Sequence, residues 1–339
     1  MEMSDNYVIT AISLLSPWGN SVTEFERTLL THSDGSTHNP KTDIEDFDLK
    51  ELFGKKAKHL NKITGMSLIA IRNILESSGI QNRYDNSDIG LCIGTNFGSY
   101  ETTFKFTIDT FIQDKPYYVD PALFPQGILN YMAGRSAIEF DLRGVNATIS
   151  GGYETGIELI EYGINALDTK QSSAVIIGAV EESNEYSQYV HTTLNSAKKH
   201  AEGCVFFLIE KEANVTDKKL VIGQIINTQV FYIPQLTEEL FLLAFQQFCK
   251  DSQVELSDIL TIVGYGITND RMKKISRISK FNECVFLRLE DYIKETLCVT
   301  NLFQIIMANA VCRLKKQRGY SIIISSDLDG LIGFCLLKI

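Results

Sequence analysis

The sequence predicts an α/β protein with buried mixed sheets, because short strand-like segments alternate with longer amphipathic segments. The strand-like segments are almost wholly apolar, which is typical of strands covered on both faces. They occupy residues 7–13, 89–94, 147–149, 174–180, 204–209, 220–226, 260–264, 321–325 and 333–337. Helical periodicity occupies residues 23–30, 61–78, 155–167, 236–250 and 300–315. The most polar connection, residues 210–219, predicts a boundary between two halves, 1–213 and 214–339.

Residues 148–159, TISGGYETGIEL, predict a strand, a sharp turn and a helix. A β-rich approach at 146–149 meets three small residues at 150–152, and helical spacing starts directly afterwards. The apolar helix positions at that spacing are Ile157, Ile160, Ile164 and Leu167. This pattern is typical of a nucleophile elbow, yet the residue at its tip is Tyr153.

The composition limits the kinds of partner. A formal charge of −10 argues against nucleic acid, which requires a basic surface. Basic clusters at 55–62, 271–280 and 313–318 are interpreted as solvated helix faces or as docking patches for an acidic protein. No segment is apolar enough to predict a membrane span, and no leader-like segment precedes the first strand, so we expect a cytoplasmic protein.

The seven cysteines are scattered and form no CxxC pair. They lie mostly inside apolar segments and have no histidine nearby at metal-ligand spacing. We therefore expect buried thiols, with no metal and no cofactor.

Several further stretches resemble β-ketoacyl synthases of the thiolase superfamily. They include residues 8–25 with a Ser-Pro-x-Gly-Asn turn, the Gly-Thr-x-x-Gly turn at 94–98, and residues 124–150. Residues 176–183 and 201–212 are similar to the family's Gly-x-x-Glu and Glu-Gly segments. The resemblance implies a five-layered αβαβα fold made of two pseudo-duplicated halves.

The resemblance also identifies the catalytic positions, and here the sequence departs from the family pattern. Tyr153 stands where the family has its acyl-accepting cysteine, and Tyr265 stands where it has the first of two histidines. Around the second histidine position, Lys294 is retained and Val299 replaces the histidine. A protonated phenol is a poor substitute for a thiolate, so we expect no catalytic residue of the family kind. The C-terminal gating loop aligns with 327–330 and keeps only its last glycine.

The five histidines are His32, His38, His59, His191 and His200. None lies in a stretch that resembles either histidine motif, and we expect surface or loop positions for them.

Loss of the cysteine and both histidines resembles the chain-length factor, a non-condensing member of the family. Such a subunit pairs with a cysteine-bearing ketosynthase and receives its chain from an acyl carrier protein. By the resemblance, residues 102–130 match the tunnel and interface segment, with Phe104 at the gate of the acyl pocket and Leu123 at the dimer interface. The predicted tunnel or interface residues are Phe104, Phe106, Ile108, Phe111, Leu123, Asn130 and Tyr131. The alternative for each aromatic residue is an ordinary core position.

Two other functions stay open at this point. Tyr153 and Tyr265 could perform a different acyl chemistry, as an acyltransferase or decarboxylase, with Glu154 as the local base. The chain could also be a homodimeric acyl-binding protein without a ketosynthase partner.

Overall fold

The structure is a computed structural model that describes residues 6–31, 42–45, 47–55, 60–194, 199–278, 281, 283–327 and 329–339. Three of the histidines considered above, His32, His38 and His59, lie outside the described residues, as does Leu328 of the predicted gating loop.

Within these ranges the chain forms ten strands and eleven α-helices. The strands are β1 (Tyr7–Leu15), β2 (Ile89–Gly94), β3 (Asn146–Ile149), β4 (Ala174–Glu181), β5 (Gly203–Lys211), β6 (Gly223–Tyr232), β7 (Ile259–Tyr265), β8 (Val285–Arg288), β9 (Tyr320–Ser326) and β10 (Leu331–Lys338). The helices are α1 (Val22–Thr31), α2 (Leu49–Phe53), α3 (Lys62–Ser78), α4 (Tyr100–Ile112), α5 (Leu123–Gln126), α6 (Tyr131–Phe140), α7 (Thr155–Asp168), α8 (Glu185–Leu194), α9 (Glu238–Asp251), α10 (Asn269–Ser276) and α11 (Thr300–Lys315).

The strand order repeats itself. The first five strands are arranged β3-β2-β4-β5-β1, and the last five follow the same plan as β8-β7-β9-β10-β6. In each unit the two pairings nearest the β3 or β8 edge are parallel and the other two are antiparallel. β1 and β6 pair from Tyr7↔Ile225 to Ile9↔Gly223, which joins the units into one ten-stranded sheet. The chain is therefore built from two topologically equivalent units.

Helices cover both units and also lie between them. α3 packs on β1, β4 and β5 on one outer side, and its N-terminus is capped by Asn61, whose side chain accepts from the Thr64 N–H at 3.1 Å. α9 and α10 share a second apolar cluster with β7, β9 and β10 on the other side. α7 and α11 contact each other and strands of both units. This succession of helix, sheet, helix, sheet and helix is the predicted five-layered thiolase-like fold.

The central helix α11 is buried along most of its length, so its polar residues need internal partners. Gln304 donates from Nε2 to the carbonyl oxygens of Val263 and Ile324, at 2.9 Å each. By length and composition alone, residues Leu297–Lys315 could cross a membrane. However, 83% of that stretch is buried inside the protein, as in the core helix of a globular fold.

A buried carboxylic acid connects the two units. Ser325 of β9 donates its hydroxyl hydrogen bond to Glu154, and Asn301 of α11 donates to Ser325 Oγ at 2.8 Å. Glu154 is fully buried beside Gly333 of β10, where an added Cβ would lie 2.1 Å from Glu154 Oε2. Burial raises the pKa of Glu154 to about 8, so the folded protein holds this group protonated at neutral pH.

Replacing Glu154 by Gln tests this state. Between the ordinary carboxyl pKa and about 8, the folded state holds a proton that the unfolded state has lost, so the free energy of unfolding falls as pH rises. Glu154→Gln removes this dependence and gives a higher melting temperature than the wild type at pH 8, in calorimetric scans between pH 5 and 8.5. The exposed Glu239→Gln is the matched control, and parallel curves for wild type and Glu154→Gln would contradict the assignment.

Candidate functional site

The corner that presents Tyr153 has the predicted form. β3 ends at Ile149, a short 3₁₀ turn spans Gly152–Glu154, and α7 begins at Thr155. Gly152 adopts φ 70°, a left-handed conformation that few residues other than glycine accept at low cost. The Thr155 hydroxyl closes the turn, accepting from the Gly151 N–H at 2.9 Å and donating to the Gly152 carbonyl at 2.8 Å. This turn holds the Tyr153 ring at the N-terminal end of a buried helix.

The Tyr153 hydroxyl donates a hydrogen bond to the carboxylate of Glu295. The same oxygen, Glu295 Oε1, lies 2.8 Å from His191 Nε2, on a helix 104 residues earlier in the chain. The Glu295 side chain is 12% exposed and His191 is 1% exposed, so this contact is well shielded from water. One carboxylate oxygen therefore ties together the corner at Tyr153, helix α8 and the segment before α11.

The electrostatics of this cluster keep the phenol protonated. Burial raises the pKa of Glu295, but hydrogen bonds from His191 and Tyr153 outweigh it, so the pKa is lowered below its ordinary value. Burial first, and then the charge of Glu295, raises the pKa of Tyr153 well above that of an ordinary tyrosine. At neutral pH the site contains a carboxylate that accepts and a phenol that donates, not a phenolate nucleophile.

The other positions identified by the family pattern gather around Tyr153. The Tyr265 ring at the end of β7 lies 5.4 Å from the Tyr153 ring, centroid to centroid, and burial raises the pKa of Tyr265 well above the ordinary value. Val299 is fully buried in a 3₁₀ turn, Leu297–Val299, that packs against the turn carrying Tyr153. Lys294 is half-buried and directly precedes Glu295.

The prediction of a surface or loop position is wrong for His191, which lies on α8, whereas His200 does lie in the loop before β5. Both are buried, and their rings lie 5.1 Å apart in an edge-to-face arrangement beside Glu295. Burial lowers the pKa of His200 to about 4, so its ring is neutral at physiological pH. Nδ1 of His200 has no hydrogen-bond partner within the described part of the chain. The motif comparison missed both residues because neither lies in a family histidine motif.

Glu154, considered above as the local base of Tyr153, does not bind the Tyr153 hydroxyl. The carboxyl group of Glu154 is engaged by Ser325, whereas the hydroxyl of Tyr153 is bound by Glu295. The acyl chemistry considered above with Glu154 as the base of Tyr153 therefore has no support in these contacts.

The predicted tunnel residues divide between an aromatic row and the surface. Phe104 stacks on Tyr186 of α8, with centroids 4.8 Å apart and planes inclined by 15°, and it also contacts Tyr100. Tyr100 in turn contacts Phe97, whose ring lies 5.9 Å from that of His200. The row of Phe104, Tyr100, Phe97 and His200 thus runs from the predicted gate to the Glu295 cluster.

The remaining predicted tunnel residues are more exposed in the single chain. Phe111 is 83% exposed and Ile108 is 41% exposed, so these two are not ordinary core residues. Phe106 packs on Phe124 of α5, with centroids 5.8 Å apart. Leu123 and Tyr131 are half-buried, and Asn130 is exposed at the start of α6. Two surface cavities of the described residues, of about 260 and 770 Å³, are lined by other side chains.

The cysteines are free thiols, and six of the seven are buried. Cys298 lies within the turn Leu297–Val299, which packs against the turn carrying Tyr153, and its thiol donates to Glu181 Oε1 at 3.2 Å. Burial raises the pKa of Cys298 well above the ordinary value, so this thiol is unreactive. Among the described residues, no group of three or more His, Cys, Asp or Glu side chains could hold a metal ion.

The repeated five-strand unit, the helices between the units and the corner at their junction define a thiolase-like protein. Residues 5–207 match the sequence model of "Beta-ketoacyl synthase, N-terminal domain", and the chain belongs to the β-ketoacyl synthase family.

Sequence relatives include 3-oxoacyl-[acyl-carrier-protein] synthase 2 of Vibrio cholerae, 27% identical over 190 residues that cover 52% of this chain and 46% of the relative. The enzyme of the same name from Coxiella burnetii is 25% identical over 187 residues, covering 51% and 45%. The chain spans about half the length of the curated relatives it matches.

Solved structures match over almost the whole chain. "The ishigamide ketosynthase/chain length factor" gives a TM-score of 0.82 at 19% identity, covering 98% of this chain and 99% of the other. A type II polyketide synthase complex, AntDE:AntF, in which an acyl-carrier protein binds its ketosynthase, gives 0.84 at 15% identity, covering 99% of both chains. At such identities these matches establish the fold.

The Tyr153–Glu295 hydrogen bond can be measured. Tyr153→Phe removes the donor and leaves the carboxylate with one partner fewer, so we expect the free energy of unfolding at pH 7 to fall by about 1–3 kcal/mol in urea titrations. Tyr186→Phe, which removes a phenol hydroxyl from a stacked ring of the same region, is the control. Equal losses in both variants would show that the hydroxyl of Tyr153 contributes no special interaction.

Proposed function

We propose that this chain is a non-condensing, ketosynthase-like subunit of the chain-length-factor type. It pairs with a cysteine-bearing ketosynthase and shapes the tunnel for a chain delivered by an acyl carrier protein, in type II polyketide, aryl-polyene or fatty-acid-like biosynthesis. The observation that carries the proposal is the phenol at the tip of the elbow, which donates to Glu295 and stays protonated. Such a group does not accept an acyl chain at neutral pH.

The two buried histidines are compatible with this function. His191 Nε2 is engaged by Glu295, which also binds Tyr153, and His200 is neutral. A histidine that activates a nucleophile must reach that nucleophile, but here the carboxylate lies between the phenol and the imidazole. The cluster therefore closes the corner and offers no activated hydroxyl.

The surface of α4 and α5 supports a protein partner. Phe111, Ile112 and Phe124 are 83%, 72% and 59% exposed, which is a large exposed apolar area for two short helices in contact. The short strand β3 lies at the edge of the sheet, with residues that are only partly covered. A second ketosynthase-like subunit would cover both features. The free thiols are those of a protein from a reducing compartment, which supports the cytoplasmic location.

The first experiment is native mass spectrometry after co-expression with a cysteine-bearing ketosynthase encoded beside this chain, followed by incubation with malonyl-loaded and acyl-loaded carrier protein. We expect a 1:1 heterodimer that carries acyl mass only on the partner. Acyl mass on this chain that is lost in Tyr153→Phe but kept in Tyr265→Phe would make it an acyltransferase. A homodimer that forms no complex with the ketosynthase would favour the alternative function, a homodimeric acyl-binding protein.

The tunnel role makes a separate prediction. Phe104→Ala opens the aromatic row beside Tyr186, and we expect the complex to release products longer by at least one extension unit, as measured by mass spectrometry of the product pool. Phe111→Ala is expected to act in the same direction from the α4 surface. Tyr189→Ala removes an exposed aromatic ring of α8 outside the predicted segment and is the control. An intact complex with an unchanged product distribution contradicts tunnel lining at the residue concerned.

A further inference from the structure

A cleft of about 770 Å³ lies at the end of α11 that is away from Tyr153. The turn carrying Tyr153 packs near the first residues of this 16-residue helix, whereas the cleft is formed by its last turns. At 1.5 Å per residue the two ends are about 24 Å apart. The other walls come from the segment between β5 and β6, residues 317–318 and the end of β10. The cleft is thus separate from the corner that presents Tyr153, where the proposed acyl tunnel lies.

Positive charge is concentrated in this cleft, although the whole chain carries a formal charge of −10. Its lining contains five cationic side chains and a single acidic one, Glu212. The cationic residues are Lys218, Arg313, Lys316, Arg318 and Lys338. Five cations on one concave surface of an acidic protein repel one another, and a bound anion would relieve that repulsion.

Some of these charges already have partners. Lys218 lies 3.4 Å from Glu212 Oε1, and Arg313 forms an ion pair with Glu26 of α1. In the part of the chain that the structure describes, Lys316 and Arg318 are exposed and make no ion pair or side-chain hydrogen bond. Lys338 lies over the Tyr320 ring, with its Nζ 5.8 Å from the ring centroid. Lys316 and Arg318 are therefore the cations of the cleft that are open to a ligand.

Compensation of the helix dipole does not account for the whole cluster. Cations near the last turn of a helix stabilise it, and this explains Arg313 and Lys316 at the end of α11. Lys218 and Lys338 belong to two other segments, neither of which is the end of a long helix, and Arg318 lies two residues beyond Lys316, the cap of α11. Their convergence on one cavity is a feature of the cleft itself.

The lining also contains apolar side chains that are less exposed than the cations, and we call them the floor. Val221 and Ile222 are half-buried and Cys312 is buried, whereas the five cationic side chains are exposed and form the rim. A cationic rim over an apolar floor suits a molecule with an anionic group at one end and an apolar surface at the other. The volume lies within the range of about 300–1,000 Å³ that is usual for small-molecule sites. Arginine and lysine are the residues that bind phosphate oxygens in proteins.

We propose that this cleft binds a soluble phosphorylated small molecule of nucleotide size. Its phosphates lie against Lys316 and Arg318, and its apolar part lies on Val221 and Ile222. The site is independent of the acyl site, and a failure of either proposal leaves the other unaffected.

Isothermal titration calorimetry of the purified protein, in whatever complex it forms, tests the site with ATP and with inorganic pyrophosphate. We expect saturable binding of one ATP per chain, weaker binding of pyrophosphate, which cannot contact the floor, and a loss of affinity as salt rises from about 0.05 to about 0.3 M. The double variant Lys316→Ala/Arg318→Ala should weaken ATP binding at least tenfold. If the double variant does not fold, the single variant Arg318→Ala is measured in its place.

The matched control is Lys273→Ala/Arg277→Ala, which removes the same charge from an exposed position of α10 and from its C-cap and should bind ATP as the wild type does. An absence of saturable ATP binding at about 0.05 M salt overturns the proposal, as does equal affinity in the wild type and Lys316→Ala/Arg318→Ala. Binding of poly-glutamate or of anionic lipid vesicles without binding of ATP overturns it in favour of an acidic protein or a membrane surface.

Discussion

The structure depends on the burial of two central helices between two sets of strands. α7 and α11 contact strands of both units, so polar side chains at their buried positions lie far from water and must be satisfied within the protein. Gln304 meets this requirement by donating to carbonyl oxygens of β7 and β9, and Asn301 does so through Ser325. The corner at Tyr153 is attached to the start of α7, and its position follows from this packing.

Glu295 shows how such an interior holds a charge. Removing a carboxylate from water is costly, yet here one of its oxygens receives hydrogen bonds from a phenol and an imidazole on two other segments. The interactions that keep the carboxylate ionised also keep the phenol protonated. Burial is the larger reason that the Tyr153 phenol stays protonated, and its hydrogen bond to Glu295 contributes both to this and to the stability of the corner.

The spacing of apolar and small residues predicts those parts of the fold in which the local sequence preference and the tertiary packing favour the same structure. The strand, turn and helix around Tyr153 were predictable because small residues and apolar spacing act within about twelve positions. Helix α4 is not predicted, since Phe104, Phe106 and Ile108 alternate as in a strand, and with Thr102 as its one buried residue the helix has no buried apolar face. His191 meets Glu295 across 104 residues, a contact that local spacing does not encode.

Because Gly333 has no side chain, the substitutions that are possible in one unit depend on the residue present in the other. A Cβ there would occupy the place of the Glu154 carboxyl group, so the space that one unit leaves empty is filled by a residue of the other. A larger residue at 333 requires a smaller residue at 154 and a shift of Ile157, whose Cδ1 would lie 2.6 Å from the added Cβ. Glu154 can be shortened first, at the cost of a cavity and an unpaired Ser325. Substitutions at these two positions therefore have a preferred order. The residue in each unit limits the substitutions that the other unit tolerates.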